Sequence, residues 1–266
     1  MTVERTADGT LSPELEAIAA AAHDRLRAQA GADLSAIDQV TIDDALERFL
    51  AEQRARLAER TYRRYEEVIS LLRHSLDGYA YSSLSAAERA RWQKAYDEGD
   101  EQAYCHLFGP KRIVEHLGSF LDWFMVRKVM AGQELLRASG TVTGKLVRWL
   151  SERGHIDGET ATDAVDHARE AARDLPTADR LGMLLHDACE DPSDLDPNEV
   201  ADEDWVEEHL EITDVEPGRI WFERGIGPIE VPRDASDLAR PGWQVLITAA
   251  RLDGRWRLLE VGFVYP

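Results

Sequence analysis

Apolar residues change their spacing once along this chain, and that change limits what it can fold into. From Thr41 to about residue 190 they recur every three or four positions; from Trp205 onward they alternate. The first period lines one stripe of a helix, the second one face of a strand. Between them lies DPSDLDPNEVADEDW, too dense in proline and aspartate for a packed element, and it reads as a linker. The expected class is α+β and multidomain: a mainly α-helical N-terminal body followed by a small C-terminal antiparallel β-barrel. The expected divisions are an N-terminal helix or tail over 1–36 and a helical domain over 37–156 with an insertion near 79–108. An acidic helical and linker segment over 157–204 and the barrel over 205–266 follow.

The helical half carries its own start and stop signals. Ser12 and Pro13 open an alanine-rich helix over 12–30. Thr41 can cap the next helix, with Asp43 and Asp44 at the positive end of its dipole. Thr61 can start another, whose apolar face is Tyr62, Tyr65, Ile69, Leu72 and Leu76. Ser85 and Glu88 form a capping-box pattern ahead of a helix to about Tyr96. Ile113, Leu117, Phe120, Leu121 and Phe124 stripe one more helix. Leu146, Trp149 and Leu150 belong to a closing one that Gly154 stops. Residues 157–190 read as two short helices. In the last part Pro217-Gly218 suits a type II turn and Asp253-Gly254 a hairpin, which gives four or five short strands, enough for a small closed barrel.

Charge is the next constraint. The 266 residues carry a formal net charge of −20, and 27 of the 31 basic residues are arginine. The acidity is local: residues 156–212 hold 19 carboxylates against 3 arginines, whereas 101–155 sum to +3. General repulsion of polyanions therefore does not cover the first 155 residues. Two cysteines, Cys105 and Cys189, cannot make a disulfide framework and read as reduced thiols. The polar N-terminus does not read as a signal peptide, and no apolar run reaches the roughly 18 residues of a membrane span. The expected location is cytoplasmic, with no membrane partner.

Three quoted stretches carry a family likeness. Phe49-Leu50 ends one helix, Thr61-Tyr62-Arg63-Arg64-Tyr65 opens the next, and Trp149-Leu150 through Ile156 closes the set. Over about residues 40–156 this pattern resembles the core-binding, SAM-like N-terminal domain of tyrosine recombinases, the phage-type integrases. The recombinases' catalytic domain is not matched: no His-x-x-Arg occurs in the chain, and nothing around Tyr265 supports a nucleophile. The resemblance therefore implies a DNA-clamping helical module without strand cleavage or rejoining.

The candidate site follows from that likeness and from the residues. Arg60, Arg63, Arg64 and Arg73 share one helix, and Arg137, Lys145, Arg148 and Arg153 another; packed as in the integrase module, they would offer one cationic face to duplex phosphates. Thr61, Thr141 and Thr143 are placed at expected helix starts, where a hydroxyl and free N–H groups can hold a phosphate. The competing reading is ordinary surface ion pairs, with Glu59, Glu66 and Glu67 close at hand. The expected function is a non-enzymatic DNA-associated protein; the alternative is a protein–protein adaptor with the helices as scaffold and the barrel or acidic segment as docking surface.

Other chemistry is thin. Arg224–Glu230, RGIGPIE, is a glycine-rich turn and not a nucleotide loop. Cys105, His106, His186 and Cys189 match zinc in number, but adjacent Cys-His rarely faces one ion. Asp187, Asp191, Asp194, Asp196 and Glu199 lack the mid-loop glycine of a calcium loop. No metal, cofactor or catalytic residue is assigned. Among the C-terminal aromatics, Trp205, Trp221, Phe222, Trp243, Trp256, Phe263 and Tyr265, most are expected in the core. One or two at the surface would mark a groove for peptide or single-stranded nucleic acid.

Overall fold

The structure, a computed structural model, describes residues 40–190 and 200–266. The expected helix over 12–30 and the acids Asp191, Asp194, Asp196 and Glu199 lie outside the described residues. Helix α1 spans Ile42–Arg54, and its start is a full capping box: the Asp44 amide donates to Thr41 Oγ1, and Thr41 N–H donates to the Asp44 carboxylate. Helix α2 runs over Glu59–Tyr79, opening two residues before Thr61, and buries Tyr62, Tyr65, Ile69, Leu72 and Leu76. A 3₁₀ turn, Ala80–Ser83, leads to α3, Ala86–Asp97, whose Ser85–Glu88 capping box forms as its sequence predicts.

Short helices α4, Ala103–Leu107, and α5, Lys111–Glu115, follow. The helix expected on the Ile113–Phe124 stripe is broken: the chain passes through a π-helical stretch, Ser119–Phe124, and one helical turn, Met125–Arg127. Phe120, Leu121 and Phe124 still face inward. The wider π turn keeps those bulky rings in the core after α5 ends at Glu115.

Helices α6, Gln133–Glu152, and α7, Gly158–Asp187, form the most extensive helix pair. They approach closely because Gly140 carries no side chain: a Cβ there would sit 2.3 Å from the Ala168 carbonyl oxygen. Gly154 ends the α6 turn at φ +75°, as expected of a C-terminal stop. The two short helices expected over 157–190 are one helix, continuous through Pro176. Proline removes the bond to the carbonyl four residues back, yet flanking packing carries the helix across it. The break in sequence propensity falls where α7 changes cores. Ala161, Val165, Ala168, Ala171 and Leu175 belong to the body, and Ala178, Leu181 and Leu185 to the barrel. Helix α7 is therefore a spine shared by the body and the barrel.

The barrel comprises β1, Trp205–Glu216, β2, Arg219–Phe222, β3, Ile226–Glu230, β4, Gln244–Leu252, and β5, Arg255–Tyr265, with helix α8, Arg233–Leu238, between β3 and β4. It closes in the order β1-β2-β3-β5-β4, with β3 and β5 parallel and the other pairs antiparallel. This is a five-stranded Greek-key barrel of the OB type. Gly218 at φ +81° makes the β1–β2 turn, and Asp253 and Gly254, both at positive φ, make the tight β4–β5 hairpin. No helix among the described residues is long and apolar enough to cross a membrane.

Candidate functional site

The two basic helices meet, as expected, but carboxylates stand at their junction. Glu134, in the first turn of α6, lies 3.3 Å from Arg64 and 4.0 Å from Arg60 on α2. Arg64 also pairs with Glu67 at 2.5 Å, and Arg63 with Glu59 at 3.1 Å. Arg73 is turned inward to Asp43 at 2.8 Å. Arg153 pairs with Glu52 at 2.6 Å, and the same carboxylate accepts from Trp149 Nε1, the bond that chiefly lowers its pKa. Five of the eight expected cations are thus partnered by acids of the body.

The three threonines divide. Thr61 is exposed in the first turn of α2. Thr141 and Thr143 are not at a helix start but in the middle of α6, where the amides are already bonded. Thr141 donates to the Arg137 carbonyl. Thr143 is fully buried and donates to the Ser139 carbonyl at 2.7 Å, so its hydroxyl cannot meet a phosphate. What persists is an exposed α6 stripe of Arg137, Thr141, Lys145 and Arg148. Among the described residues its three cations have no carboxylate within 4.0 Å; Lys145 Nζ instead lies 5.5 Å from the Tyr65 ring centroid.

The cysteine–histidine pairs stay apart. Cys105 is in the body core, where burial pushes its thiol pKa far up. Cys189 packs on the barrel core, and its thiol donates to the Leu185 carbonyl.

A cleft lies where the spine, the body and the barrel meet. Its volume is about 600 Å³. One wall is the α7 face of Leu175, Ala178, Gly182 and Met183, the second is Val126, Val129 and Met130, and the third is the end of β5, Val261 to Val264. Three of the chain's exposed large apolar side chains converge there: Met130, fully exposed, Met183 at 62% and Phe263 at 40%. The cleft exists because α7 is small-faced at this point, with Ala178 and Gly182 where larger residues would reach β5; a Cβ on Gly182 would already touch Val264. Asp179 is the one carboxylate in the lining; it accepts a hydrogen bond from Gln133, and partial burial raises its pKa. Arg127 covers the outer side of Phe263, 5.5 Å from the ring centroid.

Of the barrel aromatics, Phe263 is exposed and lines the cleft. Sequence reasoning does not find Met130 and Met183, because neither breaks its local pattern and only the tertiary packing brings them together. The barrel's outer face is acidic. Glu216 on β1 and Glu230 on β3 are the register partners of Arg219 on β2, and Arg224 is tied to Glu208. Oligonucleotide-binding OB barrels use this face and the adjoining loops. No protein-family model matches the chain, and neither the curated proteins nor the solved structures gave a significant match.

Proposed function

We propose that the protein is an interaction adaptor whose cleft between spine, body and barrel takes an apolar helical segment of a partner. The observation that carries this reading is the convergence of Met130, Met183 and Phe263 on one cleft. Exposed apolar side chains gathered in a concavity mark interaction sites, and flexible methionines suit a surface that adapts to its partner. The α7 face from Leu175 to His186 is about 16 Å long at 1.5 Å per residue, matching roughly three turns of a docked helix. Charge selects the occupant. Asp179 is the lining carboxylate and the whole chain stands at −20, so the segment presents aliphatic residues at i, i+3 and i+4 with a lysine or arginine beside Asp179.

A library of 15-residue peptides displayed on phage tests this. Selection on the full chain is expected to enrich that pattern, with binding lost at least tenfold in Met183→Glu and Phe263→Ser. Enriched peptides that bind both variants as tightly as the wild type would refute the proposal.

One observation favours a second reading, the DNA association implied by the integrase resemblance: the unpaired α6 stripe of Arg137, Lys145 and Arg148. Three phosphate contacts give a salt slope of about −2.7 in log K against log[salt]. A mobility-shift titration of duplex DNA should then show weak binding that Arg137→Glu/Arg148→Glu abolishes. No shift at 20 mM salt rejects this reading and leaves the adaptor untouched.

A further inference from the structure

A second cavity, of about 510 Å³, opens on the body away from the cleft. The end of α2 and the 3₁₀ turn contribute Ser75, Tyr79, Ser82 and Ser83, and the chain after α5 contributes His116, Ser119 and Trp123. Four features coincide there. Ser83 Oγ lies 3.0 Å from His116 Nε2. The π-helical stretch begins at Ser119 and directs Ser119 and Trp123 into the cavity wall, and such irregular turns recur at functional sites. Tyr104 is fully buried, its hydroxyl lies beside Ser83, and its ring packs edge-on to His116 with centroids 5.8 Å apart. Tyr79 and Trp123, in T-shaped contact at 4.9 Å, form an aromatic wall across from the serine.

We propose that Ser83 and His116 are a nucleophile and general base for acyl transfer from small esters whose acyl group lies on the Tyr79–Trp123 wall. The geometry meets the first requirement of such a pair, a serine hydroxyl within hydrogen-bond reach of an imidazole nitrogen in a concave site. The Ser83 hydroxyl also reaches the Ala80 carbonyl at 2.9 Å, so the free protein holds its proton there. Rotation about one bond turns it to His116 Nε2 when the imidazole carries its proton on Nδ1. Burial lowers the His116 pKa, which keeps the imidazole neutral and able to accept at pH 7; Glu115 and Arg112 on α5 are the charges that act on it, in opposite senses, and Tyr104 from α4 faces its ring.

In the first half-reaction Ser83 Oγ adds to the ester carbonyl carbon and its proton passes to His116 Nε2. The Ser119 hydroxyl, in the cavity wall, is available to donate to the oxyanion. Collapse breaks the bond to the leaving alkoxide, which takes the proton from the imidazolium. In the second half-reaction water adds to the acyl-serine, His116 takes and returns its proton, and a carboxylic acid leaves with the serine restored.

The test uses the full chain with a fluorophosphonate, which traps activated serines, and p-nitrophenyl acetate as substrate. Peptide mass spectrometry should place one adduct on Ser83, absent in Ser83→Ala and unchanged in Ser151→Ala. His116→Asn, checked for a native melting transition, should slow labelling by about 10²- to 10⁴-fold, the range for general base catalysis. In the wild type the labelling rate should rise with pH along a single titration whose midpoint lies below the ordinary histidine value of about 6.5, a readout that stands if the histidine variant fails to fold. No adduct, adducts spread over several serines, or a rate indifferent to both pH and His116 overturns the proposal.

Discussion

Replacing Gly140 by alanine puts a methyl group where α6 meets the α7 backbone. The added carbon would lie 2.3 Å from the Ala168 carbonyl oxygen and 2.4 Å from the Ala172 nitrogen, whereas real Cβ contacts stay beyond 3.0 Å. The helices must therefore part by about 0.7 Å, and the contacts are backbone, which cannot rotate aside. Overpacking of this kind costs about 1–3 kcal/mol, and a rigid contact belongs at or above the top of that range. Alanine returns about 1 kcal/mol through helix propensity, leaving a net loss of about 2 kcal/mol. Gly78, exposed in α2 with nothing within 4 Å of its would-be Cβ, is the matched control; Gly78→Ala should gain about 0.5–1 kcal/mol. At about 2–4 °C per kcal/mol for a chain of this size, Gly140→Ala should lower Tm by roughly 4–8 °C and Gly78→Ala raise it by roughly 1–4 °C. Calorimetry on both variants reads the signs directly. A Gly140→Ala protein that melts above the wild type would refute the close α6–α7 approach, and with it the spine that creates the cleft.

Further outcomes follow from the same contacts. His167 Nε2 lies 3.0 Å from Asp122, and that hydrogen bond is the main cause of its raised pKa. A raised histidine contributes stability that is complete below its unfolded value of about 6.5 and is lost as pH rises through the folded value. The Tm difference between wild type and Asp122→Asn should therefore be larger at pH 5.5 than at pH 8.5, and the opposite trend counts against the pair. Burial raises both thiols, Cys189 to about 11 and Cys105 further, so Ellman's reagent at pH 8 should modify Cys189 slowly and Cys105 only on unfolding. Thr41→Ala removes the α1 capping box and should cost about 1 kcal/mol in urea unfolding, with no effect on peptide capture at the distant cleft.

How much of this was legible in the sequence depends on the range of the interaction. Caps, turns and stripes are local, and they located α1, α3 and the β1–β2 and β4–β5 turns to within a residue or two. Pro176 misled because its local cost is real, about 3 kcal/mol in a helix interior. The packing that offsets it, Leu175 in one core and Leu181 in the other, comes from residues far along the chain. Thr141 and Thr143 were misplaced for a related reason. Gly140 and Gly144 look like breakers, but here they are contact points where α7 crosses. The cationic face is interrupted by Glu134, seventy residues from Arg64 in sequence and 3.3 Å from it in space. Likewise, nothing local distinguishes Ser83 from Ser82; it is singled out only when the chain returns with His116.

The central claim is that the cleft between spine, body and barrel is where a partner docks. Three of the chain's four methionines, Met125, Met130 and Met183, line that cleft. Methyl NMR of the methionine-labelled protein, titrated in parallel with a library-selected peptide and with a 16-base-pair DNA duplex at 20 mM salt, tests it directly. The account predicts that the peptide moves the Met130 and Met183 methyl signals, and that the duplex moves neither. Peptide binding with Met130 and Met183 unshifted would contradict it.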